Sequence, residues 1–563
     1  MVKREWKQRA PKIPYEDTYS VIDKLAAING IEDMFRFVYP TEEELHNPYL
    51  LKNVELARDR IIQAIELKQN IEILCDPDPD GISSTSLLYQ YLLNYTDRLS
   101  YLYKQRSVGH GVQHVVNDIP DDTDLLIIVD SSSNEWEACK TITEREIDIV
   151  IIDHHQITDK NEYCILVNPQ QEDCSYPNKQ SSGSLLTWKV CQTLDDHFHE
   201  DYSDSLIDLA AFGLYSDMQS MSEPENRFMV NTMLDNIHNV GLRSILMVIK
   251  KEKEKLYSST IGYNITPFIN APTRLDKIEL PLELLTTDDP VIALELAKEI
   301  HSLNEVRKKT QKEAVKRLKP LVNEDDKCIV LIDSSLGKGY NGLIANDLSG
   351  IYQRPVIIQG ETTTEYVGSY RSYGGFNFLE FASKLDMVTN SGGHAEAGGV
   401  SVLKNDFELF KMTLNNKLKN EKFEQITYFD IELQADKINE KLITQVQNFC
   451  RVSGTGFEEA KFLIKDLVVS QKKVMGSGDT LKLGCLLESD TWFVDEQDLE
   501  TAKPSLVIMK FKADETFIEG VMVGDKIDVV GSLNLNLFPR YKPKYHIEKT
   551  NQVFIEDLRV VNR

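Results

Sequence analysis

Ile71-Glu72-Ile73-Leu74-Cys75-Asp76-Pro77-Asp78-Pro79-Asp80-Gly81 is a short apolar run that ends in three alternating carboxylates and a glycine. A near-continuous apolar segment of this length reads as a strand buried on both faces, the kind found in parallel sheets. The segment after it, Gly81-Ile82-Ser83-Ser84-Thr85-Ser86-Leu87-Leu88, reads as the opening of a helix, with Gly81 allowing a sharp turn into it. Two further apolar strands follow, Leu125-Leu126-Ile127-Ile128-Val129 and Ile147 to Ile152, with helical stretches between them. Alternating strand and helix predicts an α/β fold with a parallel sheet. Each strand ends in an acid: Asp76, Asp130 and Asp153. Ligands of open α/β sheets bind at the carboxyl ends of strands, so the acids mark the candidate site.

Carboxylates as close as Asp78 and Asp80 repel one another unless a cation neutralises them, although an acidic loop or helix cap has the same appearance. A calcium loop of the EF-hand type does not fit, because its twelfth position is Leu87. Asp130 alone is equally readable as a helix cap. Asp153-His154-His155 adds nitrogen donors at the next strand end, and a mixed nitrogen and oxygen set suits Mn²⁺ or Zn²⁺ better than Mg²⁺ or Ca²⁺. Asp217 closes the apolar helical segment that starts at Leu209. A pair of cations held by such a cluster positions and activates water and neutralises a phosphate in transit.

Further along, Ile292 to Leu321 is a long helical pattern rich in Lys and Arg, readable as a solvated connector or as one that tracks a phosphate backbone. Cys328-Ile329-Val330-Leu331-Ile332 starts a second α/β unit that runs to about residue 420. Beyond about 425, short strands broken by Gly and Asp predict a small β-barrel. The 563 residues exceed one hydrophobic core, and no apolar run approaches the roughly 18 residues of a membrane span. No apolar run follows the charges at the N-terminus, so no signal peptide is expected. Eight scattered cysteines without a Cys-x-x-Cys pair fit a reducing cytosol and a buried, structural role. The net charge of −26 points away from nucleic acid, unless a basic groove sits on an acidic body.

Taken in order, Asp-x-Asp-x-Asp-Gly, a strand-ending Asp, Asp-His-His and a fourth Asp resemble the DHH phosphoesterase superfamily. Ser391-Gly392-Gly393-His394-Ala395-Glu396-Ala397-Gly398-Gly399 resembles the Gly-Gly-His motif of its companion domain, DHHA1. Phe268-Ile269-Asn270-Ala271-Pro272-Thr273-Arg274-Leu275, Glu225-Asn226-Arg227, Asn304 with Arg307, and Gly368-Ser369-Tyr370-Arg371-Ser372 are similar to segments of the RecJ family. A weaker likeness to that family's OB-fold covers about 425 to 560.

The resemblance implies two α/β lobes, DHH and DHHA1, joined by a long helix, plus a C-terminal β-barrel of the OB-fold. The corresponding boundaries are 1–60 for an N-terminal helical extension, 61–290, 291–320 for the connecting helix, 321–420 and 425–563. It implies a single-stranded-DNA-specific 5′–3′ exonuclease of repair or recombination that releases 5′ mononucleotides. Asp76, Asp78, Asp80, Asp130, His154 and Asp217 would hold two divalent ions, Mn²⁺ ahead of Mg²⁺, with Asp130 between them. His155 and His394 would serve substrate or leaving group, and Arg106, Arg274, Ser369, Arg371 and Gly393 would hold the strand.

Two departures stand out: the family's Trp-His-x-Gly reads Leu336-Gly337-Lys338-Gly339, and its Gly-Tyr-Gly reads Gly109-His110-Gly111. A third lies in the barrel, where Asp479 replaces a His that often precedes Leu-Lys. Phe538, Tyr541 and Tyr545 beside Arg540, Lys542 and Lys544 suit stacking on single-stranded bases, or a plain hairpin tip. The implied partners are single-stranded DNA and a single-strand-binding protein or helicase; a cytoplasmic monomer away from membranes is expected. A phosphodiesterase of short oligonucleotides or cyclic dinucleotides would share the metals but usually lacks the barrel. A non-catalytic replication scaffold would have lost ligands that are all filled here, and a pure single-strand binder would have no use for them.

Overall fold

The computed structural model describes residues 4–423, 426–476, 478–487, 489, 499, 501–513, 515–540 and 546–562. Its first lobe is built on a five-stranded, wholly parallel sheet. The order is Leu99–Tyr103, Ile71–Cys75, Leu125–Val129, Asp148–Ile152, Ile165–Val167. Ile71–Cys75 and Leu125–Val129 are buried along their whole length, as their apolar sequences require. The chain moves from Ile71–Cys75 to one edge and then back across it to Leu125–Val129. The point where strand order reverses therefore lies between these two strands. Helices depart to opposite faces there and leave a crevice at the carboxyl ends. Asp76 and Asp130 stand at that crevice.

The helix after the first acidic strand starts two residues earlier than the sequence predicts. It spans Pro79–Leu92 with Asp78 as its N-cap. Proline is pre-set for the first helical turn, and Asp78 Oδ1 accepts from the amides of Asp80 and Gly81 at 2.9 and 3.1 Å. Gly81 therefore lies inside the first turn rather than making a turn into it.

The long helix spans Pro290–Leu318, capped by Asp289. Ala293, Ala297 and Ile300 near its start belong to the core of the first lobe; Ala314, Val315 and Leu318 near its end belong to a core of the second. One rigid element thus sets the spacing of both lobes. The second sheet runs Val388–Gly393, Ala397–Leu403, Glu365–Arg371, Val356–Glu361, Ile329–Ile332, with only the last pair parallel.

The C-terminal strands close into a barrel. Phe462–Met475 pairs with Thr480–Leu487, that with Leu506–Lys510, that with His546–Asn562, that with Lys526–Arg540, and the last with Phe462–Met475 again. The apolar runs at 462–464 and 467–469 are one bent strand. A register shift falls between Ile464 and Leu467, where Asp466 has φ 60°. Phe538 is half exposed on the barrel. Residues 541–545 and the side chain of Arg540 fall outside the described residues.

The N-terminal extension is not wholly helical. Glu5–Gln8 is a strand in parallel register with Ile426–Phe429, and Trp6 Nε1 donates to Asp557 Oδ2 at 2.6 Å. Its partner lies some four hundred residues away, so no local periodicity signals it. The predicted boundary at residue 60 falls inside the helix Val54–Glu66, whose Val54, Ala57 and Ile61 pack into the first lobe's core.

Candidate metal centre

Helices Pro79–Leu92, Gly183–Phe198 and Ile207–Ser216 bring the carboxylates together from separate parts of the chain. Their contact faces are small: Ser83, Ser84, Ser184 and Gly213 are buried there. Ser83 Oγ and Ser184 Oγ each donate to a carbonyl of the third helix, Leu209 O and Ala210 O, at 2.9 Å. A Cβ on Gly213 would fall 2.4 Å from Asp80 Oδ1, and one on Gly183 2.6 Å from Asp130 Cβ. Glycine at both positions lets the backbone approach the acids. Asp80 accepts from the amides of Gly183 at 2.7 Å and Ser184 at 3.1 Å, the unpaired donors of a helix N-terminus.

Three overlapping groups have the spacing of metal ligands: Asp76, Asp78 and Asp130; Asp80, His154 and Asp217; and Asp130, Asp153, His154 and His155. His154 Nε2 lies 3.1 Å from Asp130 Oδ1 and 3.4 Å from Asp217 Oδ2. Asp130 Oδ1 is buried and accepts no hydrogen bond. Orphaned buried oxygens are rare unless an ion or water is meant for them. Asp130 also has φ 62° and Ser132 φ 75°, backbone values uncommon for residues with a side chain.

Electrostatics describe the same cluster. Burial, then the charges of Asp80, Asp78, Asp76 and Asp217, push the Asp130 carboxyl well above its ordinary value. Burial and Asp80 push Asp217 up to about 8, and burial pushes Asp76 up to about 6. Burial lowers His154, which keeps its imidazole neutral as a ligand must be. A set of mutually repelling, buried carboxylates beside a neutral imidazole fits hard or borderline divalent cations.

Asp153 differs. It accepts from Ser133 Oγ at 2.6 Å, Ser133 N at 3.1 Å, His154 N at 2.7 Å, His155 N at 3.2 Å and faces His155 Nδ1 at 2.7 Å. Burial alone would raise its pKa, but these bonds and the two imidazoles hold it below the usual carboxylate range. Its oxygens are already engaged, so it orients the histidines. The bond to Asp153 in turn raises His155 to about 9, and this ring is exposed toward the crevice.

The DHH family, N-terminal domain, matches residues 70–214; the DHHA1 domain matches 325–420; and the RecJ OB domain matches 429–548. The chain thus carries a DHH domain, a DHHA1 domain and a RecJ OB domain in that order, a RecJ-like arrangement. The single-stranded-DNA-specific exonuclease RecJ of Bacillus subtilis (strain 168) is 26% identical over 93% of this chain and 65% of its own length. The prophage-derived protein YorK of the same organism, provisionally named a single-strand DNA-specific exonuclease, is 26% identical over 96% of both chains. A crystal structure of RecJ with Mn²⁺ from Thermus thermophilus superposes with a TM-score of 0.79 at 20% identity, over all of this chain and 81% of that one.

On this RecJ-type frame four arginines converge beside the metal cluster. Arg106 Nη1 donates to Pro77 O at 3.2 Å, between Asp76 and Asp78. Burial, then Arg106, Arg371 and Arg307, lower Arg274 to about 10. Arg371 lies against Gly342 of the helix Asn341–Tyr352 and donates to Tyr370 O at 2.7 Å; Arg307 bonds Asn304 and Gln311. Among the described residues none of the four is within ion-pair distance of a carboxylate. In the sequence Arg307 carries only a family likeness; its convergence with the other three is visible only in the fold.

Ser369 lies on the strand Glu365–Arg371, opposite Gly399. His394 sits exposed in the turn between the strands Val388–Gly393 and Ala397–Leu403, with Tyr370 Oη donating to its carbonyl at 2.5 Å. Gly393 before it has φ 115°, open to glycine alone at little cost. No described contact joins the His394 ring to the metal carboxylates. Sequence reasoning passed over Gly183, Gly213 and His110. The first two carry no signal beyond a glycine in a helical segment, and the third was registered only as a departure.

Proposed function

We propose that the chain is a metal-dependent exonuclease specific for single-stranded DNA, acting from the 5′ end and releasing mononucleotides. The observation that carries this reading is a buried carboxylate–histidine cluster beside four arginines that lack carboxylate partners among the described residues, on a RecJ-type frame. Two divalent ions, when bound, supply the charge that activates water and neutralises the phosphate. Asp76, Asp78 and Asp130 would hold one, and Asp80, His154 and Asp217 the other. Asp130 belongs to the first group and lies 3.1 Å from His154 of the second, so it is placed to serve each. A nitrogen donor in this set favours Mn²⁺ over Mg²⁺.

The arginines grip the terminal phosphate by their planar forks. His155, kept protonated by Asp153, is placed to donate a proton to the departing sugar oxygen. His394, exposed on its hairpin in the second lobe, would meet the substrate from that side. Protein partners such as a single-strand-binding protein or helicase would deliver DNA to a surface of net charge −26.

The test uses Mn²⁺ with 5′- or 3′-labelled single strands, duplexes and dinucleotides. Progressive loss from the 5′ end of long single strands is expected; activity confined to dinucleotides would overturn the reading.

The raised carboxyls also set a pH dependence. In the metal-free protein Asp76 and Asp217 keep protons to about pH 6 and 8, and ligation needs them deprotonated. Metal affinity should therefore rise between pH 6 and 8, with protons released on binding. Calorimetry in buffers of different ionisation enthalpy measures that release; a proton count of zero at pH 6.5 would refute it.

A further inference from the structure

We propose that His110 is a positioning residue of the metal centre, which fixes the Asp76 carboxylate and thereby ties the Arg106 loop to metal occupancy. The inference rests on the metal reading above. His110 Nδ1 lies 3.0 and 3.1 Å from the two oxygens of Asp76. An ionised carboxylate only accepts, so Nδ1 carries the proton and Nε2 is turned away from it.

Three of the other acids are held by their own surroundings. Asp78 receives two amides at the start of its helix, and Asp80 two amides from the helix Gly183–Phe198. Asp217 receives Gln219 Nε2 at 2.6 Å. The Asp76 carboxylate has His110 as its hydrogen-bond partner among the described contacts. A ligand held by one donor is oriented by that donor, and partners of this kind typically govern metal affinity by about 10- to 100-fold.

That donor sits on a loop, not on the scaffold. The loop is pinned at Val112 N by Ser132 Oγ at 2.9 Å and at Gln113 N by Glu135 Oε2 at 2.8 Å, both from the segment that follows Asp130. At its other end Arg106 bonds Pro77 O and Ser107 N bonds Asp276. One short loop thus carries a phosphate-binding arginine and the donor to a metal ligand. Loss of the His110 bond would free Asp76 to turn out of its group with Asp78 and Asp130.

The test is Mn²⁺ binding to the full chain by calorimetry, without substrate, for wild type, His110→Phe, His110→Asn and Asp78→Asn. Asparagine places an amide donor near the position of Nδ1, whereas phenylalanine keeps the ring and removes the donor. The expected result is about 10-fold weaker binding at one site for H110F, recovery to within about 3-fold for H110N, and an unchanged melting profile of the metal-free protein. Equal affinity for wild type and H110F, with D78N impaired, would overturn the role of His110 while leaving the metal site standing. Unchanged binding in D78N would reject the metal site itself. Pulsed electron paramagnetic resonance of the bound Mn²⁺ should show the same nitrogen coupling in wild type and H110F. A coupling lost in H110F would mean that His110 is a ligand, and would overturn the positioning role.

Discussion

Asp130→Asn is expected to abolish cleavage, by on the order of 10³-fold or more, while making the metal-free protein more stable at pH 8. Both effects come from one cause. Asp130 is buried among Asp80, Asp78, Asp76 and Asp217, with one oxygen that accepts no hydrogen bond. Its carboxyl holds a proton far more tightly in the folded chain than in the unfolded one. The folded state therefore binds more protons at intermediate pH, and stability falls as pH rises above the unfolded value. Asparagine has the same shape and no charge, so it escapes that penalty. In EDTA the variant should match wild type near pH 4 to 5 and melt increasingly above it toward pH 8. With saturating Mn²⁺ the order should invert, because wild type gains binding energy that the variant lacks. Calorimetric melting with and without metal, beside a cleavage assay, reads both halves. A variant that cleaves normally, or is less stable than wild type in EDTA at pH 8, would sink the assignment.

How much of this was legible in the sequence follows from how far each contact reaches. Asp76, Asp130 and Asp153 could be placed because each ends an apolar strand, and parallel strand ends converge at the switch in strand order. His154 came with Asp153, and Asp217 with the end of an apolar helical segment. Gly183 and Gly213 were invisible because they matter only by lying against Asp130 and Asp80, side chains scores of residues away in the chain. The resemblance already divides His154 from His155, but the role of Asp153 needed coordinates. Five donors converge on Asp153, and nothing in the tripeptide counts donors brought by Ser133. The strand Glu5–Gln8 was missed for the same reason of distance, and the helical reading of the first sixty residues failed there. The family resemblance supplied what pattern could not: the identity of the domains and the pairing of the first lobe with a Gly-Gly-His hairpin.

Arg227→Met should loosen the N-terminal segment and the barrel from the first lobe, at a cost of roughly 3 kcal/mol. Arg227 is almost fully buried on the helix Pro224–Asp235. Its Nε donates to Phe37 O at 2.6 Å and its Nη1 to Val452 O at 2.7 Å, while Nη2 reaches Phe449 O at 3.4 Å. Its guanidinium stacks 3.5 Å from the Phe37 ring centroid and 4.8 Å from that of Phe457. Three parts of the chain thus meet on one planar cation: the extension at Phe37, the first lobe through its helix, and the turn that leads into the barrel. Burial lowers its pKa to about 9, so the charge is retained at neutral pH without a carboxylate to balance it. Methionine fills a similar volume but leaves the Phe37 and Val452 carbonyls without donors in a dry joint. Lysine would keep the charge, yet a single ammonium cannot address carbonyls on two sides in one plane, so Arg227→Lys should recover less than half of the loss. The metal cluster is built elsewhere and should survive, so Mn²⁺ affinity should hold while cleavage of long strands falls more than cleavage of dinucleotides. Limited proteolysis after heating, read for release of the fragment beyond residue 423, together with those two rates, measures the effect. An R227M protein that resists protease like wild type and keeps its ratio of long-strand to dinucleotide cleavage would show that the joint is held by the aromatic packing of Phe37, Phe449 and Phe457 alone.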